Sequence, residues 1–285
     1  MDQTFKLFNR TVKQYYKAKP SIPSQEELLR LATAAGLIPE KTKFGLYKTP
    51  VGIEVELERI KEVPKTILWC SVEDNSLRNG GLEFVSLPVL GKNIDACLQE
   101  LRKILEVNSG YETSVRCSTH VHINVSDLDV RQVQMLIALY ACFENVLFDL
   151  HNPMRRNNPY CYPVTTTGET NTLLSGDIQK VKYCALNTGH LRDYGTIEFR
   201  HMEGLESVEK LERWIQVIQK LVQYCKINDP QHIAEKIFNL NTNSEYSSLA
   251  ESVFYPVNPF RGMQNLQSKM EDCVTWAKLF LSEIE

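Results

Sequence analysis

The chain has no Cys-x-x-Cys pair, no basic run, no internal repeat and no low-complexity tract. It also has no apolar stretch long enough to span a bilayer, and each absence excludes something. The eight cysteines, at 70, 97, 117, 142, 161, 184, 225 and 273, are spread almost evenly. That spacing suits small buried hydrophobes in a reducing compartment, and neither a disulfide framework nor a zinc knuckle. The most apolar segment, Met135 to Phe143, falls far short of the roughly 20 residues a membrane helix needs. The first twenty residues carry scattered Lys and Arg without an apolar core, so no signal peptide is expected. The 32 Lys and Arg nearly balance 35 Asp and Glu, leaving a net charge of −3. This argues against nucleic-acid binding through a basic face, a modified nucleobase as a small substrate excepted. With 285 residues, 43% of them hydrophobic, the chain can bury about three quarters of its unfolded surface. The expectation is a cytoplasmic globular protein.

What is present is strong periodicity. Ser24 and Glu27 form a capping-box pattern ahead of Leu28, Leu29, Leu31 and Ala32, with Gly36 and Pro39 as the stop. Residues 1–45 therefore read as a helical N-terminal extension, and residues 46–285 as the main domain. Strands are expected at 51–57, 66–72, 81–87, 115–125, 181–187 and 195–202. The spacing predicts helices over 92–107, 131–150, 208–225 and 266–284. The polar stretch 152–179, rich in Pro, Thr, Asn and Gly, reads as a lid or binding loop. This order gives an α+β fold, with an antiparallel or mixed sheet covered by helices on one side.

Four strands carry chemistry on the face opposite an apolar stripe. In the first, Glu54, Glu56 and Glu58 alternate with Ile53, Val55 and Leu57. A solvated edge strand would show the same pattern, but adjacent same-face carboxylates repel unless a cation lies between them. In the second, His120, His122 and Asn124 share a face, as metal ligands or as hydrogen-bonded surface histidines. In the third, Glu198 and Arg200 alternate with Ile197 and Phe199, either as a surface ion pair or as a metal carboxylate beside a guanidinium aimed at phosphate. The fourth follows the turn Asp74-Asn75-Ser76 and adds Glu83 between Leu82 and Phe84. A sheet lined by Glu54, Glu56, Glu83, His120 and Glu198 needs divalent cations to offset its charge. Oxygen ligands with one imidazole suit Mg²⁺ or Mn²⁺ better than Zn²⁺, and two such ions beside an arginine imply a nucleoside triphosphate.

Taken in order, Gly52-Glu54-Glu56, Asp74-Ser76, Glu83-Val85-Ser86-Pro88, His120-Val121-His122, Tyr183-Leu186-Asn187 and Thr196-Ile197-Glu198-Phe199-Arg200 resemble the amidoligases of the glutamine synthetase and glutamate–cysteine ligase superfamily. The resemblance covers about residues 44 to 205. It implies a carboxylate–amine ligase fold, like the catalytic domain of glutamine synthetase, with a curved, mainly antiparallel sheet backed by helices. It also implies ATP-driven amide formation with two or more Mg²⁺ or Mn²⁺ ions, joining a small-molecule or peptide carboxylate to an amine.

Carried over residue by residue, Glu54 and Glu56 would bind different ions, Glu83 would join one site, and His120 with Glu198 would complete the other. His122 would lie toward the nucleotide phosphates, Arg200 would hold the γ-phosphate, and Asn187 would fall on the cofactor side. Arg155 or Arg156 would be further phosphate contacts, and Asp74 or Glu58 the catalytic base. Two positions depart from the family pattern: Thr119 replaces the small Gly before the first histidine, and Asn75 the Gly of the turn. No separate N-terminal domain like that of glutamine synthetase is visible, so its ring-shaped assembly is not assumed. A metal-dependent hydrolase or deamidase built on the same acids and imidazoles is the alternative, and a non-catalytic nucleotide-binding module is a third.

Overall fold

The structure is a computed structural model and describes residues 49–166, Leu173 and residues 181–284. The capping-box helix expected at Ser24 and most of the second half of the expected lid lie outside the described residues.

Alternating apolar residues make the sheet. Its strands are β1 (Val51–Leu57), β2 (Trp69–Glu73), β3 (Leu82–Ser86), β4 (Ser118–Asn124), β5 (Leu186–Asn187) and β6 (Thr196–Glu203). They lie in the order β2-β3-β1-β4-β6-β5, and every pairing is antiparallel. Ile53, Val55, Val121, Ile123, Ile197 and Phe199 are fully buried on one face. They share a core with helices α1 (Lys92–Val107), α2 (Val130–Phe148) and α3 (Val208–Ile227). Chain order continues with α4 (Pro230–Phe238), α5 (Asn243–Phe254) and α6 (Leu266–Ile284). The α+β expectation holds.

Helix α2 is buried almost all round from Met135 to Phe148, as its unbroken apolar run requires. Its start is fixed by a capping box in which Asp129 and Gln132 satisfy each other's backbone N–H groups. Burying each of its large side chains contributes about 2–3 kcal/mol. Helices α4 and α5 were not expected, because each is too short for a periodic stripe to stand out. Their caps are local: Asp229 precedes Pro230 at the start of α4, and Thr242 with Glu245 forms a capping box on α5.

The stretch expected as a structureless lid is partly built. Pro153–Asn157 and Val164–Thr166 form 3₁₀ turns. Buried Glu144 of α2 accepts hydrogen bonds from the backbone N–H groups of Val164 and Thr165 and from the Thr165 hydroxyl, which ties this segment to the core. The expected strand 181–187 shortens to Leu186–Asn187. Its earlier residues pair instead with Tyr162, whose N–H donates to Tyr183 and whose carbonyl accepts from Ala185.

Cys70 is half-buried, and the other seven cysteines are buried free thiols. Burial pushes the Cys97 thiol up to about 12, which makes it a packing group and not a nucleophile. Among the described residues, no helix is long and apolar enough to cross a membrane.

Candidate active site

The strand register brings the chemical residues together. Glu54 lies opposite His120 across β1 and β4, and Glu56 lies opposite Glu83 across β1 and β3. On the other side, His122 and Asn187 both face Glu198 of β6, from β4 and β5 respectively. Period-2 alternation then carries acids and imidazoles to the face opposite the core.

Glu198, itself buried, is the hub. Its Oε1 lies 3.1 Å from His120 Nδ1 and 2.5 Å from Arg200 Nη1. Its Oε2 accepts from Asn187 Nδ2 at 2.6 Å and lies 3.3 Å from His190 Nε2. Glu54 spans the two histidines, with Oε2 3.3 Å from His120 Nδ1 and Oε1 3.2 Å from His122 Nε2. Burial alone would raise both carboxylates. For Glu198 the Arg200 charge outweighs it, and for Glu54 the His122 charge does so. Both are therefore held well below the usual carboxylate range. The same pairing overcomes burial at His122 and raises it to about 9.

Glu83 behaves oppositely. Burial, with the Glu54, Glu56, Asp74 and Glu198 carboxylates nearby, pushes it up to about 8. Three groups of donor atoms lie within 4.8 Å of one another: Glu54, His122 and Glu198; Glu54, Glu83 and His120; and Glu56, Asp74 and Glu83. Glu54 and Glu56 fall in different groups. One group is all carboxylate and each of the others adds a single imidazole, a donor chemistry that fits Mg²⁺ or Mn²⁺.

β6 carries a bulge. Thr119 pairs with Met202 but Val121 pairs with Phe199, so Arg200 and His201 together face the single residue His120. Arg200 stays on the polar face with Glu198, while His201 turns into the core, where its Nε2 meets the Tyr140 hydroxyl at 2.9 Å.

Several expected residues are placed differently. Arg155 is only 5% exposed, and it donates to the carbonyls of Arg200 and His201, bracing the bulge. Arg156 is taken up by Asn145 and Asp149 at the end of α2. Glu58, 3% exposed just past β1, accepts the Arg78 N–H and joins none of the three groups. Asp74, expected as a base, sits among the acids. Asn187 orients Glu198.

Two residues at the site were not singled out from the sequence. His190 lies in a loop without alternation, so no periodic signal marks it; its ring is 5.1 Å from that of His122. Ser118 shares the alternation of His120 and His122 and could have been found by extending that stripe one step toward the N-terminus.

No curated protein matches the chain. A family model described as putative amidoligase enzyme matches residues 59–222, more than half of the chain, and takes in Asp74, Glu83, His120, His122, Glu198 and Arg200. With its acids, imidazoles and arginine gathered on one face of an antiparallel sheet, the chain belongs to this amidoligase family.

Proposed function

We propose that the protein is an ATP-dependent carboxylate–amine ligase, joining a small-molecule or peptide acid to an amine. The observation that carries this reading is the position of Glu198, one oxygen of which lies 3.1 Å from an imidazole and 2.5 Å from the Arg200 guanidinium. A pure hydrolytic metal site has no need of a guanidinium beside its carboxylate, whereas phosphoryl transfer uses one to stabilise charge on the moving group.

Glu54, His120 and Glu198 would hold one divalent ion, and Glu56 with Glu83 a second. Such ions, when bound, neutralise charge on the β- and γ-phosphates. Arg200 binds the γ-phosphoryl oxygens, and His122 faces the phosphates. The substrate carboxylate attacks the γ-phosphorus as the bond to ADP breaks, giving an acyl phosphate. The amine nitrogen then adds to the carbonyl carbon, phosphate leaves with the bonding electrons, and the amine proton passes to Asp74, the expected base that stays at the site. The segment pinned by Glu144 supports water exclusion, which an acyl phosphate requires.

The test is Mg²⁺-dependent phosphate release from ATP across panels of acids and amines, comparing wild type with Glu198→Ala and Arg200→Ala. Turnover that needs ATP and is lost in both variants is expected. Equal turnover in all three proteins contradicts the assignment, and turnover without nucleotide identifies a hydrolase or deamidase.

A further inference from the structure

β4 presents Ser118 and His120 on the same face, two residues apart. Ser118 Oγ lies 2.9 Å from Glu56 Oε2 and 2.7 Å from His120 Nε2. The Ser118 backbone N–H donates to that same Glu56 oxygen at 2.7 Å. A hydroxyl has one proton to give, and an ionised carboxylate can only accept. Were the proton given to His120, two oxygen lone pairs would face each other at 2.9 Å between residues 6% and 7% exposed. Buried polar atoms tolerate that poorly. The Ser118 proton therefore goes to Glu56, and the Ser118 lone pair accepts a proton from His120 Nε2.

With the Nε2 proton so placed, a neutral His120 carries its lone pair on Nδ1. That Nδ1 lone pair can accept from Arg200 Nη1, which lies 3.4 Å away. This lone pair points where Glu54 and Glu198 oxygens already lie, 3.3 and 3.1 Å away. A lone pair and two carboxylates converging on one point form a donor set for a cation, beside the Arg200 guanidinium that already borders it.

We propose that Ser118 is a positioning residue that fixes His120 as its Nε2–H tautomer, so that Nδ1 is the atom offered to a divalent cation. The inference rests on the proposed function only in taking such a cation to bind there. Glu56 is then tied to both ends of the site: it is grouped with Asp74 and Glu83, and through Ser118 it orients the imidazole of the neighbouring group.

The experiment uses the full chain labelled with nitrogen-15 histidine and titrated with cadmium-113, read by NMR without nucleotide. Coupling of cadmium to His120 Nδ1, with the Nε2 proton retained, is expected. Ser118→Ala should weaken Cd²⁺ and Mn²⁺ binding about 10- to 100-fold, and Ser118→Thr, which keeps the hydroxyl, should restore it to within about threefold. Coordination through Nε2, an unperturbed His120, or wild-type affinity in folded Ser118→Ala overturns the proposal. Should Ser118→Ala fail to fold, the nitrogen assignment in wild type decides. Binding through Nδ1 in a protein that never releases phosphate from ATP would leave the tautomer standing and remove the ligase reading.

Discussion

Glu198 Oε1 and Arg200 Nη1 lie 2.5 Å apart, and His120 Nδ1 is within 3.4 Å of both. The guanidinium thus shares the carboxylate and the imidazole on which a divalent cation would draw. Being two residues apart on β6, the pair cannot separate without moving the strand or rotating the Arg200 side chain.

Arg200 should therefore oppose cation binding while serving turnover. Arg200→Met is expected to tighten Mn²⁺ binding several-fold in an electron paramagnetic resonance titration, because a fixed positive charge is removed from the site. The same variant should lose about 10²- to 10³-fold in ATP-dependent phosphate release, the usual cost of deleting a transition-state charge donor. Weaker Mn²⁺ binding in Arg200→Met would contradict this account.

Arg155 and Arg156 are neighbours with different duties. Arg155 holds the carbonyls of Arg200 and His201 at 2.6 and 3.2 Å, whereas Arg156 holds the end of α2. Arg155→Met should loosen the bulge and lower phosphate release at least about tenfold, since a displacement of about 1 Å at a reacting group can cost 10²-fold. Arg156→Met should keep near-wild-type turnover. Steady-state kinetics below the melting temperature of both variants separate the two; equal losses would contradict the distinction.

The core predicts a pH response separate from the site. Burial lowers His151 to about 3 and holds His201 well below its usual value. Both histidines are neutral in the folded protein, while the unfolded chain binds their protons near pH 6.5. Below that point the unfolded state holds more protons, so this stability is complete above about pH 6.5 and is lost as pH falls toward about 3. At pH 5 the loss is about 2 kcal/mol per histidine. Urea melts at pH 7 and pH 5 measure it, and His151→Phe, which replaces ring nitrogens that make no hydrogen bond, should flatten the slope. An unchanged slope would contradict the burial argument.

The sequence reveals what repeats with a short period. The alternation in Val51–Leu57 and Ser118–Asn124 marks both the core face and the acids and imidazoles, because one geometric rule sorts them. The stripe of α1 likewise marks the whole of Lys92–Val107. What escapes is set by partners distant in the chain. The duty of Arg155 depends on carbonyls about 45 residues away, freed by a bulge that no local pattern announces. Glu58 continues the alternation of Glu54 and Glu56, yet the Arg78 N–H withdraws it from the polar face. His190 reaches Glu198 from a loop, where side-chain direction has no period to read.

The most direct test of the central claim follows one oxygen atom. An acid labelled with oxygen-18 in its carboxylate is incubated with the protein, ATP, Mg²⁺ and an amine, and the released phosphate is weighed by mass spectrometry. Ligation through an acyl phosphate moves one carboxylate oxygen into each phosphate released alongside the amide. Amide formed together with unlabelled phosphate would contradict it.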